Sequence, residues 1–245
     1  MGSPEPSKPG EVDFRDEVRK KFPDACREHD TPAETAQQDD EALQQQRAEV
    51  RARLGEYQRA IGWRYQQVTL ESFAITTDRQ REVMAALRQY AADMKNEVQH
   101  GAGIVLYGPS GTGKDHLLSS MGRIAIVRHG LTVRWANGDA LFRECRDLIG
   151  RAGAEGTIIA KYAGPKILIL SDPLPPSGCL TDYQAATLYG IIDRRYRAAR
   201  PTWVSLNVAS GQEADERLGG AIADRLRDGA VAQFCDWPSH RKARQ

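Results

Sequence analysis

The run Gly108-Pro109-Ser110-Gly111-Thr112-Gly113-Lys114 limits the fold of this chain more than any other stretch. It follows an apolar stretch, Gly103-Ile104-Val105-Leu106-Tyr107, and precedes a helical pattern from His116 to Ile126. Strand, glycine loop and helix in that order are the setting of a phosphate-binding loop. Glycines let successive backbone N–H groups point into one concavity that holds an anion. The helix N-terminus behind them adds partial positive charge. Lys114 then reaches the outer phosphates of a nucleoside triphosphate. A plain glycine turn would account for a lone G-x-G, but the full spacing with Lys114 favours a nucleotide. The expected contacts run from Gly108 through Lys114 and on to Asp115 and His116.

Composition narrows what surrounds this loop. With 245 residues, 40% of them hydrophobic, the chain can bury one sizeable core plus an appendage. A formal net charge of +1 gives no global field toward nucleic acid, so any such contact must be a local patch. Cys26, Cys145, Cys179 and Cys235 show no C-x-x-C spacing, which argues against a zinc ribbon or a disulfide framework. No apolar run approaches a membrane span, and the polar start does not read as a signal peptide. Gly2 hints at myristoylation, but Pro6 stands where that motif needs Ser or Thr. A soluble cytoplasmic protein is expected.

Residues 1–35 are rich in Pro, Asp, Glu and Lys and read as a mobile tail, with one short helix around Phe14 to Phe22. From Ala36 the composition shifts to Gln, Glu, Arg and Ala, and Leu43, Val50, Leu54 and Tyr57 fall on one helix face. So thin a stripe fits a solvated helix along the core or a partner-binding helix. The segment 36–64 is assigned to partner binding, leaving the fold of the remainder independent of what precedes Ile61. A helix is expected from Thr77 to Val98, with Thr77 and Asp78 as caps.

Beyond the loop, short apolar runs alternate with helical patterns. The runs are Leu131–Trp135, Ile167–Leu170, Trp203–Leu206 and Ala230–Phe234. The helices lie near Ala140–Ile149, Asp182–Arg197 and Ala214–Arg227. Such alternation predicts a parallel, doubly wound α/β sheet with helices on both faces. A nucleotide-binding sheet needs a second apolar strand ending in acid, and Ile167-Leu168-Ile169-Leu170-Ser171-Asp172 is the good candidate. The strand Trp203–Leu206 ends in Asn207, and Arg225 lies in a helical Ala-Asp-Arg-Leu segment after Gly219 and Gly220. Taken singly, Asn207 is a turn former and Arg225 a solvated helix residue.

Their order carries more. From Tyr65 to Arg241 the chain resembles the DnaC/IstB family of AAA+ ATPases, the replicative helicase loaders and transposition helpers. The resemblance rests on Tyr65-Gln66-Gln67-Val68-Thr69-Leu70-Glu71-Ser72-Phe73, on the glycine loop, and on Leu180-Thr181-Asp182-Tyr183-Gln184. It continues through Leu188 to Tyr196, Arg200-Pro201-Thr202, Leu218 to Leu226, and the ending Pro238-Ser239-His240-Arg241, a variant of the family's Ser-Tyr-Arg. It implies a five-stranded AAA+ core over residues 65–245, with a minimal or absent lid domain and a helical N-terminal appendage. It further implies homo-oligomeric rings or spirals, with ATP and Mg2+ held between subunits. Asp172 takes the water-activating position, Asn207 the sensor role, and Arg225 the arginine finger acting on the neighbouring subunit's ATP. The loader branch, the better match, implies a hexameric replicative helicase as partner and single-stranded DNA as its destination. The helper branch implies a transposase.

Two positions depart from the loop pattern together. Asp115 replaces the Ser or Thr whose hydroxyl ligates magnesium, and Ser171 replaces the first acid of the second motif. Either Asp115, Ser171 and Asp172 still form one magnesium site, or the site is degraded and nucleotide binding is weak. A carboxylate about 4 Å from a phosphate charge costs roughly 4 kcal/mol at an effective dielectric of about 20. Uncompensated, that removes about a thousandfold in affinity. A retained glycine loop and Lys114 favour compensation, because magnesium takes carboxylate oxygens well.

Two basic groups are candidates for sequence-tolerant DNA contact: Arg143, Arg146 and Arg151, and Arg194 and Arg195 with Arg197 and Arg200. Favourable charge at a helix C-terminus also explains the second group. The competing functions are an ATP-driven helicase loader, a transposition helper, and an oligomeric adaptor with little hydrolysis. A P-loop kinase would leave Asn207 and Arg225 unexplained.

Overall fold

Crossover helices return the chain to the same end of a sheet, so alternating apolar runs and helices pair as parallel strands. The computed structural model describes residues 32–147 and 154–241. Its strands are β1 (Ile104–Gly108), β2 (Val133–Asn137), β3 (Ile167–Ser171), β4 (Thr202–Asn207) and β5 (Val231–Phe234). They form a five-stranded sheet in the order β2-β3-β4-β1-β5, with every pairing parallel. This is the α/β architecture expected from the alternation. The strand at Leu131–Trp135 begins later than expected, at Val133, because the preceding helix runs on to His129.

Strand parity divides the core in two, as side chains at successive positions must. Ile104, Leu106, Ile167, Ile169 and Trp203 face one apolar cluster, while Val105, Leu168, Leu170, Val204 and Leu206 face the other. The first face is covered by the end of α1 (Pro32–Ile61) and by α2 (Asp78–Ala92), α3 (Met94–Gln99) and α4 (Lys114–His129). The second is covered by α5 (Gly138–Asp147), α6 (Ala154–Ala163), α7 (Asp182–Arg197), α8 (Gly211–Leu218) and α9 (Gly220–Arg227). Burial on both faces explains why β3 reads as an unbroken apolar run.

Local signals place most helix ends. Thr77 caps α2 through a full capping box with Gln80, and Thr181 caps α7 in the same way with Gln184. The single helix expected from Thr77 to Val98 is two, α2 and α3, separated at Asp93. The helix expected from Ala214 to Arg227 is likewise two, α8 and α9, separated at Gly219. Between β2 and β3 the structure adds α6, which the pattern reading did not contain. From Cys235 to Arg241, after β5, the described residues form no helix. Among the described residues no helix is long and apolar enough to cross a membrane. The short helix expected around Phe14 to Phe22 lies outside the described residues, and α1 already begins at Pro32, inside the expected tail.

The N-terminal boundary is also moved. By its contacts the chain divides between Arg47 and Ala48, not between residues 64 and 65. The reason is Tyr57, which is 2% exposed in the first core cluster. Its hydroxyl donates to the Ser119 carbonyl of α4 at 3.1 Å, and its ring meets Trp135 edge-on at 6.4 Å. Ile61 is buried beside it, and Val50 and Leu54 pack against the same cluster. Leu43, earlier on the same expected stripe, is exposed. The last turns of α1 are therefore core, and the expectation that the fold is independent of everything before Ile61 is overturned. Tyr57→Ala should lower stability by about 3–5 kcal/mol through lost packing, and Tyr57→Phe by about 1 kcal/mol through the lost hydrogen bond. Urea unfolding of the three proteins checks both; equal stability of Tyr57→Ala and wild type would contradict this packing role.

Candidate functional site

The parallel register brings the glycine loop against the ends of β3 and β4. β1 pairs with β4 so that Gly108 lies opposite Asn207, and β3 pairs with β4 so that Ser171 lies opposite Ser205. The loop itself needs glycine: Gly111 and Gly113 have φ of 85° and 90°. A Cβ at Gly111 would lie 2.0 Å from the Ser239 hydroxyl, and one at Gly113 would lie 2.7 Å from the Phe73 ring. Among the described residues, the backbone N–H groups from Gly111 to Asp115 meet no acceptor. Unpaired donors at the start of a helix form an anion cradle. The Trp237 indole donates to the Thr112 carbonyl at 2.8 Å, and the His240 N–H donates to the Gly111 carbonyl at 2.9 Å. The residues after β5 thus fix the loop from outside.

Lys114 is folded back on this loop. Its Nζ donates to the carbonyls of Gly108 and Pro109, both at 2.8 Å, and lies 3.5 Å from Thr112 Oγ1. Burial holds the amine below the ordinary lysine value, against the opposing influence of Cys235, Asp115 and Asp172. Asp115 occupies the first turn of α4, where a carboxylate is favoured by the helix dipole. Its two oxygens accept from Ser171 Oγ at 2.9 Å and from Ser205 Oγ at 2.6 Å. The two exchanged positions, Asp115 and Ser171, are therefore in direct contact. Ser205 completes the group and was missing from the candidates. Its one sequence signal is a polar residue inside the apolar run Trp203-Val204-Ser205-Leu206.

Asp172 follows β3 with φ of 46°, a left-handed conformation uncommon outside glycine. Its N–H donates to the Ser205 carbonyl at 3.0 Å. The Asn207 side-chain amide donates to one carboxylate oxygen, and the Asn207 N–H reaches the other at 3.4 Å. Burial pushes the Asp172 carboxyl above the usual aspartate value; the two Asn207 donors act the other way, and the Asp115 charge raises it further. Two carboxylates that repel in this way suit a divalent cation. Among the described residues no three His, Cys, Asp or Glu side chains are grouped to hold a metal. Magnesium commonly uses one or two carboxylates plus substrate phosphates, so Asp115 and Asp172 fit that manner of binding.

Lys114, Asp115, Ser205, Asn207, Tyr65 and Arg241 line one pocket of about 550 Å³. Pro109, Ser110 and Asp172 open instead into an adjoining hollow. His116 borders the first pocket, but its Nε2 is engaged with the Thr69 carbonyl at 2.9 Å and lies 3.2 Å from Ser72 Oγ, anchoring the segment before α2.

The remaining candidates lie elsewhere. Arg225 shares a small hollow with Gly103 and Thr202, at the N-terminal ends of β1 and β4, so it sits at the opposite end of the sheet from the glycine loop. There it pairs with Asp193 at 3.0 Å, donates to the Tyr189 hydroxyl at 3.1 Å and stacks over the Tyr189 ring. Arg143, Arg146 and Arg194 are exposed, Arg143 in an ion pair with Asp139. Arg151 lies outside the described residues. Arg195 corrects the reading of a basic surface, because it is fully buried. It donates to the carbonyls of Pro165, Lys166 and Pro201 at 2.9, 3.1 and 2.6 Å and to Thr202 Oγ1 at 3.1 Å. Burial, helped by Arg200, pulls its pKa down to about 9. Its donors are committed to tying α6 to β3 and β4, which leaves none for a phosphate.

The raised Asp172 carboxyl gives a direct test of this geometry. Because its folded value lies above its unfolded one, the folded protein binds the proton more tightly, and stability falls as pH rises through that window. Carboxyl titration by carbon NMR should place Asp172 above the usual ~3.9. Asn207→Ala should raise it further by removing the side-chain amide donor that favours the charged form, while the backbone N–H of residue 207 stays in place. A fall on that substitution would contradict the arrangement.

Comparison with known proteins follows the same lines. A family described as IstB-like ATP binding protein matches residues 35–242. The replicative helicase loader DnaC of Buchnera aphidicola subsp. Schizaphis graminum is 25% identical over 183 residues, covering 73% of this chain and 71% of that protein. An ATP-binding protein in an insertion sequence of Mycobacterium tuberculosis is 29% identical over 181 residues, covering 71% of this chain and 68% of its own length. Among solved structures, the DnaC helicase loader superposes with a TM-score of 0.63 at 19% identity, over 71% of this chain and 99% of that one. AMPPCP-bound DnaA from Aquifex aeolicus superposes with a TM-score of 0.56 at 20% identity, over 71% of this chain and 51% of that one. The shared fold is the AAA+ core.

Proposed function

The chain belongs to the family of IstB-like ATP-binding proteins, and from that premise we propose that it is an ATP-dependent helicase-loader-like ATPase, delivering a hexameric replicative helicase to single-stranded DNA in the cytoplasm. The observation that carries the nucleotide reading is the cradle of unpaired N–H groups from Gly111 to Asp115, with the Lys114 amine beside it and Asp172 and Asn207 at the adjoining strand ends. The loader reading is supported by the likeness to DnaC in sequence and in fold. The insertion-sequence relative, at 29% identity, supports a second reading, a transposition helper whose partner is a transposase.

In this account the backbone amides and Lys114 bind the phosphates. To reach them, Lys114 exchanges the Gly108 and Pro109 carbonyls for phosphate oxygens. Asp172 accepts the proton of the attacking water, and Asn207 orients that water when it releases the Asp172 carboxylate. Asp115 and Asp172 would hold a magnesium ion through their carboxylates, with Ser171 supporting Asp115, and the ion would supply positive charge against the phosphates. Arg225 is at the wrong end of the sheet to serve its own subunit, so it acts on the nucleotide of a neighbour in a homo-oligomer. Exposed Arg143, Arg146 and Arg194 remain the DNA-facing candidates.

Mixing subunits tests the central part. Arg225→Ala alone should lower turnover about a hundredfold or more, and Lys114→Ala should abolish it. A mixture of the two should recover activity, because some interfaces then pair an intact loop with an intact finger. No recovery in a mixture shown to assemble would overturn the shared site. Capture of the replicative helicase, but not of a transposase, by the ATP-bound protein is the expected partner result; the reverse would select the helper reading.

A further inference from the structure

One side chain of α8 reaches both strand ends that carry the proposed chemistry. Arg217 is 13% exposed at its side chain. Its Nε donates to the Gly178 carbonyl at 2.8 Å, and its Nη2 donates to the Pro175 carbonyl at 2.5 Å. Both acceptors belong to the loop that starts at Asp172. Its Nη1 donates to the Asn207 carbonyl at 3.3 Å and to Glu213 Oε1 at 3.1 Å. The backbone repeats the connection, since the Leu180 N–H donates to the Arg217 carbonyl at 3.3 Å. One planar guanidinium therefore spans the loop after β3 and the last residue of β4.

We propose that Arg217 is a positioning residue for hydrolysis, holding the Asp172 loop and the Asn207 backbone in fixed register. The inference rests on the nucleotide reading above, in which Asp172 and Asn207 act on water. Asp172 needs such support. Its backbone is in a left-handed conformation, and the chain after it, Pro173-Leu174-Pro175-Pro176-Ser177-Gly178, forms no helix or strand that would hold it. Three prolines remove three backbone donors from that loop, so its carbonyls must find donors elsewhere. Arg217 provides two of them from its rigid fork, an arrangement that lysine, with one ammonium, cannot reproduce. The Asn207 side chain touches the Asp172 carboxylate directly, and Arg217 fixes the backbone behind it. Arg217 also borders the hollow that holds Pro109, Ser110 and Asp172, and it does not line the pocket of Lys114 and Asp115. Its loss should therefore spare nucleotide binding and harm the chemical step.

Three measurements on the full chain test this. Arg217→Ala should lower kcat at least tenfold while the Kd for a non-hydrolysable ATP analogue stays within about threefold, and Arg217→Lys should fall between. In a double-mutant cycle, Arg217→Ala and Asn207→Ala should be strongly non-additive in kcat, because the first acts partly through the second. Amide hydrogen exchange of the nucleotide-free protein should rise across residues 173–180 and 207–209 in Arg217→Ala and stay unchanged across 108–115. Equal loss of affinity and kcat, additive effects in the cycle, or exchange that is unchanged at 173–180 would each overturn the proposal. Arg217→Met, which keeps the packing of the stem, replaces alanine in all three if the alanine variant is not folded. The exchange comparison needs no turnover. A wild type that binds ATP without hydrolysing it would thus count against the proposed function and leave the Arg217 contacts to be judged on exchange alone.

Discussion

Because β4 is inserted between β1 and β3, the phosphate loop and the acidic strand end are never hydrogen-bonded neighbours in the sheet. Apart from the direct Ser171–Asp115 hydrogen bond, the contacts that couple them must pass through the end of β4. Ser205 and Asn207, two residues apart on that strand, do so. Ser205 donates to Asp115 on the loop side, and Asn207 donates to Asp172 on the other. The rest of the molecule serves this alignment. Arg195 buries a guanidinium among carbonyls to fix the starts of β3 and β4, Arg217 does the same at their ends, and Trp237 fixes the loop. These polar contacts are costly to break, since each would leave a desolvated group without a partner.

The reciprocal placement of a carboxylate at 115 and a hydroxyl at 171 is accommodated by this alignment. A repulsion of roughly 4 kcal/mol between carboxylate and phosphate would cripple a nucleotide site if nothing opposed it. Hydrogen bonds to a charged acceptor contribute about 1.5–3 kcal/mol each, and Asp115 accepts two, from Ser171 and Ser205. The helix N-terminus adds a smaller favourable term. These contacts fix the position of the carboxylate in the nucleotide-free protein and do not by themselves offset its repulsion of a phosphate. In the functional account, Lys114 and a divalent cation supply the remaining positive charge.

The parts of this design carried by local pattern were legible in the sequence. The glycine spacing marks the loop, apolar runs mark the strands, and capping residues such as Thr77 and Thr181 mark helix starts. The family was legible because its motifs keep their order along the chain. What escaped was set by contacts between distant residues. Ser205 is one polar residue in an apolar run, and its partner Asp115 lies 90 residues away. Arg195 belongs by sequence to an arginine-rich helix end, and only the packing of α6 and the loop after it reveals that it points inward. Arg217 looks like a solvated helix residue until the Asp172 loop is laid against it. Tyr57 sits on a stripe too thin to distinguish a free helix from one packed on the sheet.

The most direct test of this account is magnesium-dependent ATP affinity across a cycle of Asp115→Thr, Ser171→Asp and the double exchange. Asp115→Thr leaves no carboxylate at either exchanged position, and Ser171→Asp crowds two carboxylates against one another. The double exchange restores one carboxylate and one hydroxyl in swapped places. Each single change is expected to weaken magnesium-dependent binding about tenfold or more, and the double change to recover most of the loss, a coupling of at least ~1.4 kcal/mol. Additive losses, with the double variant weakest of all, would contradict a shared site and show that Asp115 and Ser171 act independently.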